Sequence, residues 1–259
     1  MKKFGTVVIS IVMFFSILSF TTLFSLRNVF SKNGISEILE VGFKDIEIDS
    51  LVDDIFNSNE DTKELGEYVD KNEFKEAFTD YVAEYFVYAF SENNKQPSSE
   101  KLKEILTQSL EKYEKDNNVA LDDNVIDEVF DTFDKEMEES KTEIAADNDV
   151  KLLFDFIYSN YYLIALGISI VCLFLIFIIN MSIKPVLTSL GVVSIISGVF
   201  VFLISLGLKV MLETEEEIKA LANVVSSPFK MAAIISIVIG IVLLIFKTYI
   251  KDKPKEEVY

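Results

Sequence analysis

Residues 161–208 read YYLIALGISIVCLFLIFIINMSI, then Lys184-Pro185, then VLTSLGVVSIISGVFVFLISLGL. The runs Tyr161–Ile183 and Val186–Leu208 are each 23 residues long and carry no charge. A helix rises about 1.5 Å per residue, so about 20 apolar residues cross a hydrocarbon layer of roughly 30 Å. Each run predicts a membrane-spanning helix, and the two-residue connection makes them neighbours. Working outward, Phe4–Leu26 is also 23 residues without charge. Met231–Phe246 is shorter, but Pro228-Phe229 and Thr248–Ile250 extend it across Lys230 and Lys247. Those two lysines can snorkel to opposite surfaces. The pattern predicts four spans.

The rest of the chain has a different character. Overall, 50% of the residues are hydrophobic, yet the net charge is −18. The two properties separate along the sequence. Residues 32–156 hold 35 acidic side chains against 13 lysines, whereas the remaining residues hold 7 acidic and 11 basic ones. This is the composition of a membrane protein with one acidic, water-facing domain.

Residues 1–31 read as an N-terminal signal-anchor span. Lys2 and Lys3 form a basic start, the apolar run exceeds the usual signal-peptide core, and no Ala-x-Ala cleavage site follows it. Residues 32–156 read as an acidic helical extracytoplasmic domain between the first and second spans. Residues 157–259 read as a three-span bundle with a basic cytoplasmic tail. Within it, 209–230 reads as a short outside amphipathic loop, with Glu213 and Glu215–Glu217 followed by Ile218, Leu221, Ala222 and Val225. The expected fold class is all-α.

The acidic domain shows three apolar stripes at helical spacing. They are Phe74, Phe78, Tyr81, Val82, Tyr85, Phe86 and Phe90; then Leu102, Ile105, Leu106, Leu110 and Tyr113; then Val125, Ile126, Val129, Phe130, Phe133 and Met137. Start signals agree: Ser50-x-x-Asp53, Asp61-x-x-Glu64 and Pro97-Ser98-Ser99. Tyr88 falls off the first stripe and suits a partner-facing patch.

Composition also excludes chemistry. The chain has no His, which removes imidazole metal sites, Ser-His and Cys-His pairs and the histidine proton shuttle. Its one cysteine, Cys172, lies in an apolar run, so intrachain disulfides are impossible. The acid excess opposes nucleic acid as a partner. Asp122, Asp123, Asp127, Glu128, Asp131 and Asp134 form a dense acidic cluster. It lacks the alternating ligands and central glycine of an EF-hand loop, so it reads first as a solvated face and second as a weak divalent-cation site. No carboxylate pair stands out for acid–base catalysis. No catalytic, cofactor-binding or metal residue is assigned, and no cofactor is expected.

The spans carry small residues at regular intervals. Gly191, Gly198 and Ser205 recur every seven residues in the third span, and Ala232, Ser236 and Gly240 every four in the fourth. Such ridges let helix backbones approach closely, either within one bundle or in a homo-oligomer. No charged residue lies in the middle of a span, and Asn180 is near the inner end of the second, which speaks against autonomous ion transport.

One span, a large domain, then three spans with a small loop before the last: this layout is similar to that of permease subunits of cell-division and lipoprotein-type ABC exporters. Those permeases place a basic coupling helix between the second and third spans. Here that connection is Asn180–Pro185, which has no room for one.

The expected protein is a multi-pass cell-membrane protein. It has a non-enzymatic binding, sensing or scaffolding role toward another membrane or envelope protein. An accessory subunit of a transporter or exporter is the alternative, and a carboxylate-using membrane enzyme a third. Lysines outnumber arginines 23 to 1, as in AT-rich bacterial genomes. Lys2-Lys3 and the basic tail favour cytoplasmic termini. A reporter active only inside cells should therefore be active when fused at residue 259 and silent at residue 95. The opposite pattern would invert the orientation.

Overall fold

The computed structural model describes residues 2–42, 63–90, 97–119, 127, 134–135, 148–215 and 218–250. Every regular element among the described residues is helical. The helices are α1 (Lys2–Val29), α2 (Lys32–Gly42), α3 (Lys71–Phe90), α4 (Glu100–Asn117), α5 (Asn148–Tyr158), α6 (Tyr161–Asn180), α7 (Ile183–Glu213) and α8 (Ala222–Tyr249). Short 3₁₀ turns at Lys63–Tyr68 and Lys219–Leu221 precede α3 and α8. The stripe from Val125 to Met137 and the start signal at Ser50–Asp53 lie outside the described residues.

Four helices are long and apolar enough to cross a membrane: α1, α6, α7, and α8 with its preceding turn. The chain folds into two compact units, Met1–Val29 with Ser159–Tyr259, and Phe30–Tyr158. The first unit holds all four apolar helices. Its burial pattern is the reverse of a soluble protein's. Large apolar side chains such as Phe174, Leu203 and Val242 point outward, whereas Ser16, Ser25, Ser169, Ser194, Ser197 and Ser205 are buried. In hydrocarbon an outward Leu loses nothing, and close packing of small residues supplies the attraction between helices.

The α7–α8 seam shows this most clearly. Ser205, Gly198 and Gly191 on α7 face Ser226, Ala233 and Gly240 on α8, so each step of seven along one helix matches a step of seven back along the other. A Cβ on Gly240 would lie 2.6 Å from the Gly191 carbonyl oxygen, and one on Gly198 2.9 Å from that of Ala233. At the third rung the Ser205 hydroxyl donates to the Ser226 carbonyl at 3.0 Å. A seven-residue repeat is the spacing of a left-handed supercoil.

The third-span ridge thus packs as its spacing suggests, but the fourth-span ridge differs from expectation. Ala232 and Ser236 are only half-buried, and the buried line is Ser226, Ala233 and Gly240. A step of four residues drifts about 40° around a helix. The partner helix follows the step of seven instead.

α1 packs against α6 and α7 around Met13, Cys172, Ile176 and Val193. Near its start, Asn180 Nδ2 donates to Thr6 Oγ1 at 3.0 Å and to the Ile176 carbonyl at 2.9 Å. Near its end, the Arg27 guanidinium stands 5.1 Å from the Tyr162 ring centre, a cation–π contact. Thr6, Ser10, Thr21 and Ser25 each donate to the carbonyl four residues back, which satisfies hydroxyls that lipid could not.

The connection between α6 and α7 is Met181-Ser182, with Met181 in the left-handed region at φ 49°. This turn holds no coupling helix, so the layout likeness to exporter permeases does not extend to their ATPase-docking element. Within 209–230, α7 runs on to Glu213 and α8 begins at Ala222. Ala222, Ser226 and Phe229 are buried in the first turns of α8, so packing holds that helix from its start. Pro228 lies inside α8, where it removes the helical donor to the Val224 carbonyl.

Gly240→Ala should destabilise the chain by about 1–3 kcal/mol, because backbone atoms flank the new methyl and cannot give way. Gly207→Ala, with nothing within 4 Å, should be neutral or slightly stabilising. Detergent-titrated unfolding of the purified chain, followed by circular dichroism, measures both. Equal effects would refute the seam.

Candidate functional site

The Phe30–Tyr158 unit is the candidate binding module. It is built on α3, which is buried on two sides. One side carries Phe74, Ala77, Tyr81 and Tyr85, which join Val69 and the α4 residues Leu102, Ile105, Leu106 and Leu110 in one core. Burying one such aromatic or leucine contributes roughly 1.5–3 kcal/mol. The other side carries Phe86 and Phe90, which meet Phe30 and the α5 residues Phe154 and Ile157 in a second cluster. The Phe90 and Phe154 rings stack at 4.1 Å, and Phe30 and Phe86 each meet Phe154 edge-on. The Tyr158 hydroxyl donates to the Phe30 carbonyl, joining the unit's two ends. The stripe read as one face therefore serves two cores. Thr79 and Ala83, absent from the sequence reading, are buried as well.

Local chemistry sets the helix starts. Asp70 caps α3: its carboxylate accepts from the Asn72 and Glu73 amides at 3.1 Å. The Asp70-x-x-Glu73 spacing was the available signal, and the sequence reading passed over it. Ser31 Oγ accepts from the Gly34 amide at the start of α2. At α4 it is Ser98 whose hydroxyl accepts from Glu100, while the Ser99 carbonyl accepts from Lys103. Asn118 ends α4 in the left-handed conformation.

Among the described residues, ion pairs form outside these cores. Lys32 of α2 reaches Glu84 at 2.6 Å and Asp80 at 3.6 Å, and Ser36 also donates to Asp80. The hydrogen bond to Glu84, with the added attraction of both carboxylates, holds the Lys32 pKa above its ordinary value. Each of these charged side chains is over a third exposed, so such a pair contributes at most about 1 kcal/mol. The tie orients α2 on α3, and the apolar cores supply the stability.

Of the acidic cluster, Asp122, Asp123, Glu128 and Asp131 lie outside the described residues. The two described members have separate roles. Asp127 pairs with Lys103 at 3.1 Å, and Asp134 accepts the Tyr81 hydroxyl at 2.7 Å. Burial, then the bond to Asp134, pushes the Tyr81 pKa well above its ordinary value. Among the described residues no three of Asp, Glu and Cys gather as metal ligands. Tyr88, read as a patch residue, is half-buried and packs edge-on against Tyr85, with centroids 5.8 Å apart.

The unit carries the whole of the −22 charge, since Phe30, Ser31, Ile157 and Tyr158 add none to the 35 acids and 13 lysines of 32–156. Such a surface steers cationic partners toward it and keeps anionic ones away. No family model, curated protein or solved structure matches the chain.

Tyr81→Phe should lower the stability of this unit by about 1 kcal/mol at neutral pH. The folded state keeps the Tyr81 proton after the unfolded chain has begun to lose it. The stabilisation is thus fully present below the ordinary tyrosine pKa of about 10 and fades as pH rises beyond it. Urea unfolding of wild type and variant should show a gap that narrows above that pH. A gap independent of pH would refute the role of the hydroxyl.

Proposed function

We propose that this protein is a multi-pass cell-membrane protein whose Phe30–Tyr158 unit is an extracytoplasmic binding, sensing or scaffolding module without enzymatic activity. The observation that carries this reading is a helical unit with its own aromatic cores and a net charge of −22, in a chain whose other unit holds four apolar helices. A surface so one-sided in sign favours a partner with a basic face, on another membrane or envelope protein. The bilayer is the second partner. The alternative is an accessory subunit of a transporter or exporter. The layout supports it, and the Met181-Ser182 turn fits an accessory role better than that of an ATPase-coupled permease. A homo-oligomer through the small-residue ridges of the third or fourth span is less favoured, because Gly191, Gly198, Ser205 and Gly240 are engaged between α7 and α8.

The test is site-specific photocrosslinking in native membranes. Probes replace the exposed Gln108 and Lys112 on α4, and a reference probe replaces the outward Phe174 on α6. One discrete membrane or envelope protein should be captured from the α4 positions and not from Phe174. Its yield should fall as salt rises beyond about 0.15 M, where surface charges are screened over about 8 Å. Capture of an ATPase or permease would promote the alternative. Equal capture from all positions would refute the module.

A further inference from the structure

Within the four-helix unit, a groove of ≈ 660 Å³ runs along the first half of α1 and the first half of α7. Its two ends differ in chemistry. Lys3, Thr6 and Asn180 line one end, where the Asn180 amide and the Thr6 hydroxyl are bonded to each other. At the other end Phe14 and Phe200 meet edge-on, with ring centroids 5.6 Å apart. Val192 and Ile196 of α7 make the apolar wall between them. Among the described residues of the lining, Lys3 is the charged side chain and none is a carboxylate.

The length of the groove fits the bilayer. Lys3 to Phe14 is eleven residues of helix, about 16 Å, which is about half of a 30 Å hydrocarbon core. The uncharged run begins at Phe4, so Lys3 stands at the level where a lysine meets headgroups. The groove is thus as deep as one leaflet, cationic where a headgroup sits and apolar where its chain runs.

We propose that this groove binds an anionic phospholipid, with its headgroup phosphate at Lys3 and an acyl chain extending to the Phe14–Phe200 pair. Thr6, Ser10 and Asn180 spend their hydrogen atoms on helix carbonyls and on one another, so the polar end presents bonded groups at glycerol depth. The inference is independent of the binding role of the other unit.

The chain has no Trp, which makes a single introduced one a clean reporter. Phe200→Trp reports from the groove floor. Phe174→Trp, at an outward position 67% exposed, reports on bulk lipid. The full-length variants are reconstituted in phosphatidylcholine vesicles containing a minor fraction of bromine-labelled phosphatidylglycerol or bromine-labelled phosphatidylcholine. At position 200 the phosphatidylglycerol should quench with an apparent affinity about fivefold higher, the factor one lysine supplies near an anionic headgroup. At position 174 the two lipids should quench alike. Adding Lys3→Gln should abolish the preference at 200. If Phe200→Trp fails to reconstitute, Ile196→Trp reads the same groove from its wall. Equal quenching by both lipids at the groove reporter, or a preference that survives Lys3→Gln, would overturn the site.

Discussion

The close approach of Gly191 and Gly240 is the contact on which the apolar half of the molecule depends. A methyl added to either would lie within 3 Å of the other's carbonyl oxygen. Lipid removes the usual reason for helices to associate, because a leucine is as well solvated by acyl chains as by another helix. What remains is contact area and polar bonding, and both require backbones to come near. The seam meets this requirement three times, at intervals of seven residues, with glycine, alanine and serine. With α7 and α8 joined along this line, many of their bulky residues, such as Leu203 and Val242, point outward.

The Phe30–Tyr158 unit solves a different problem with different means. It carries far more acid than base, so its charges repel one another, and its few described ion pairs are exposed and weak. Stability rests on two aromatic clusters on opposite sides of α3. A helix buried on both sides fixes the positions of α2, α4 and α5 at once. This shows how an acidic segment is compatible with ordered cores: among the described residues the two clusters contain no charged side chain.

How much was legible in the sequence can be judged element by element. The spans were, because length and the lack of charge are one-dimensional properties, and crossing hydrocarbon demands both. The α4 stripe from Leu102 to Tyr113 was, because one core faces it. The division of the α3 aromatics was not. Phe74 and Phe90 both recur at helical spacing, and spacing does not say how many neighbours a helix has. The line along which α8 meets α7 was not, for a related reason. Both Ala232–Ser236–Gly240 and Ser226–Ala233–Gly240 are present in the sequence, and the choice between them belongs to the helix opposite.

By itself, then, the sequence determined that the chain is helical, that four segments suit a bilayer and that one acidic segment does not. These follow from solvation, which each residue expresses regardless of its neighbours in space. Tertiary structure alone decided which small residues touch, that Lys32 ties α2 to α3, and that Lys3, Asn180 and Phe200 border one groove although they lie far apart in the chain. Those depend on register between helices. Register is set by the fit of two surfaces, and neither surface is written in one helix alone.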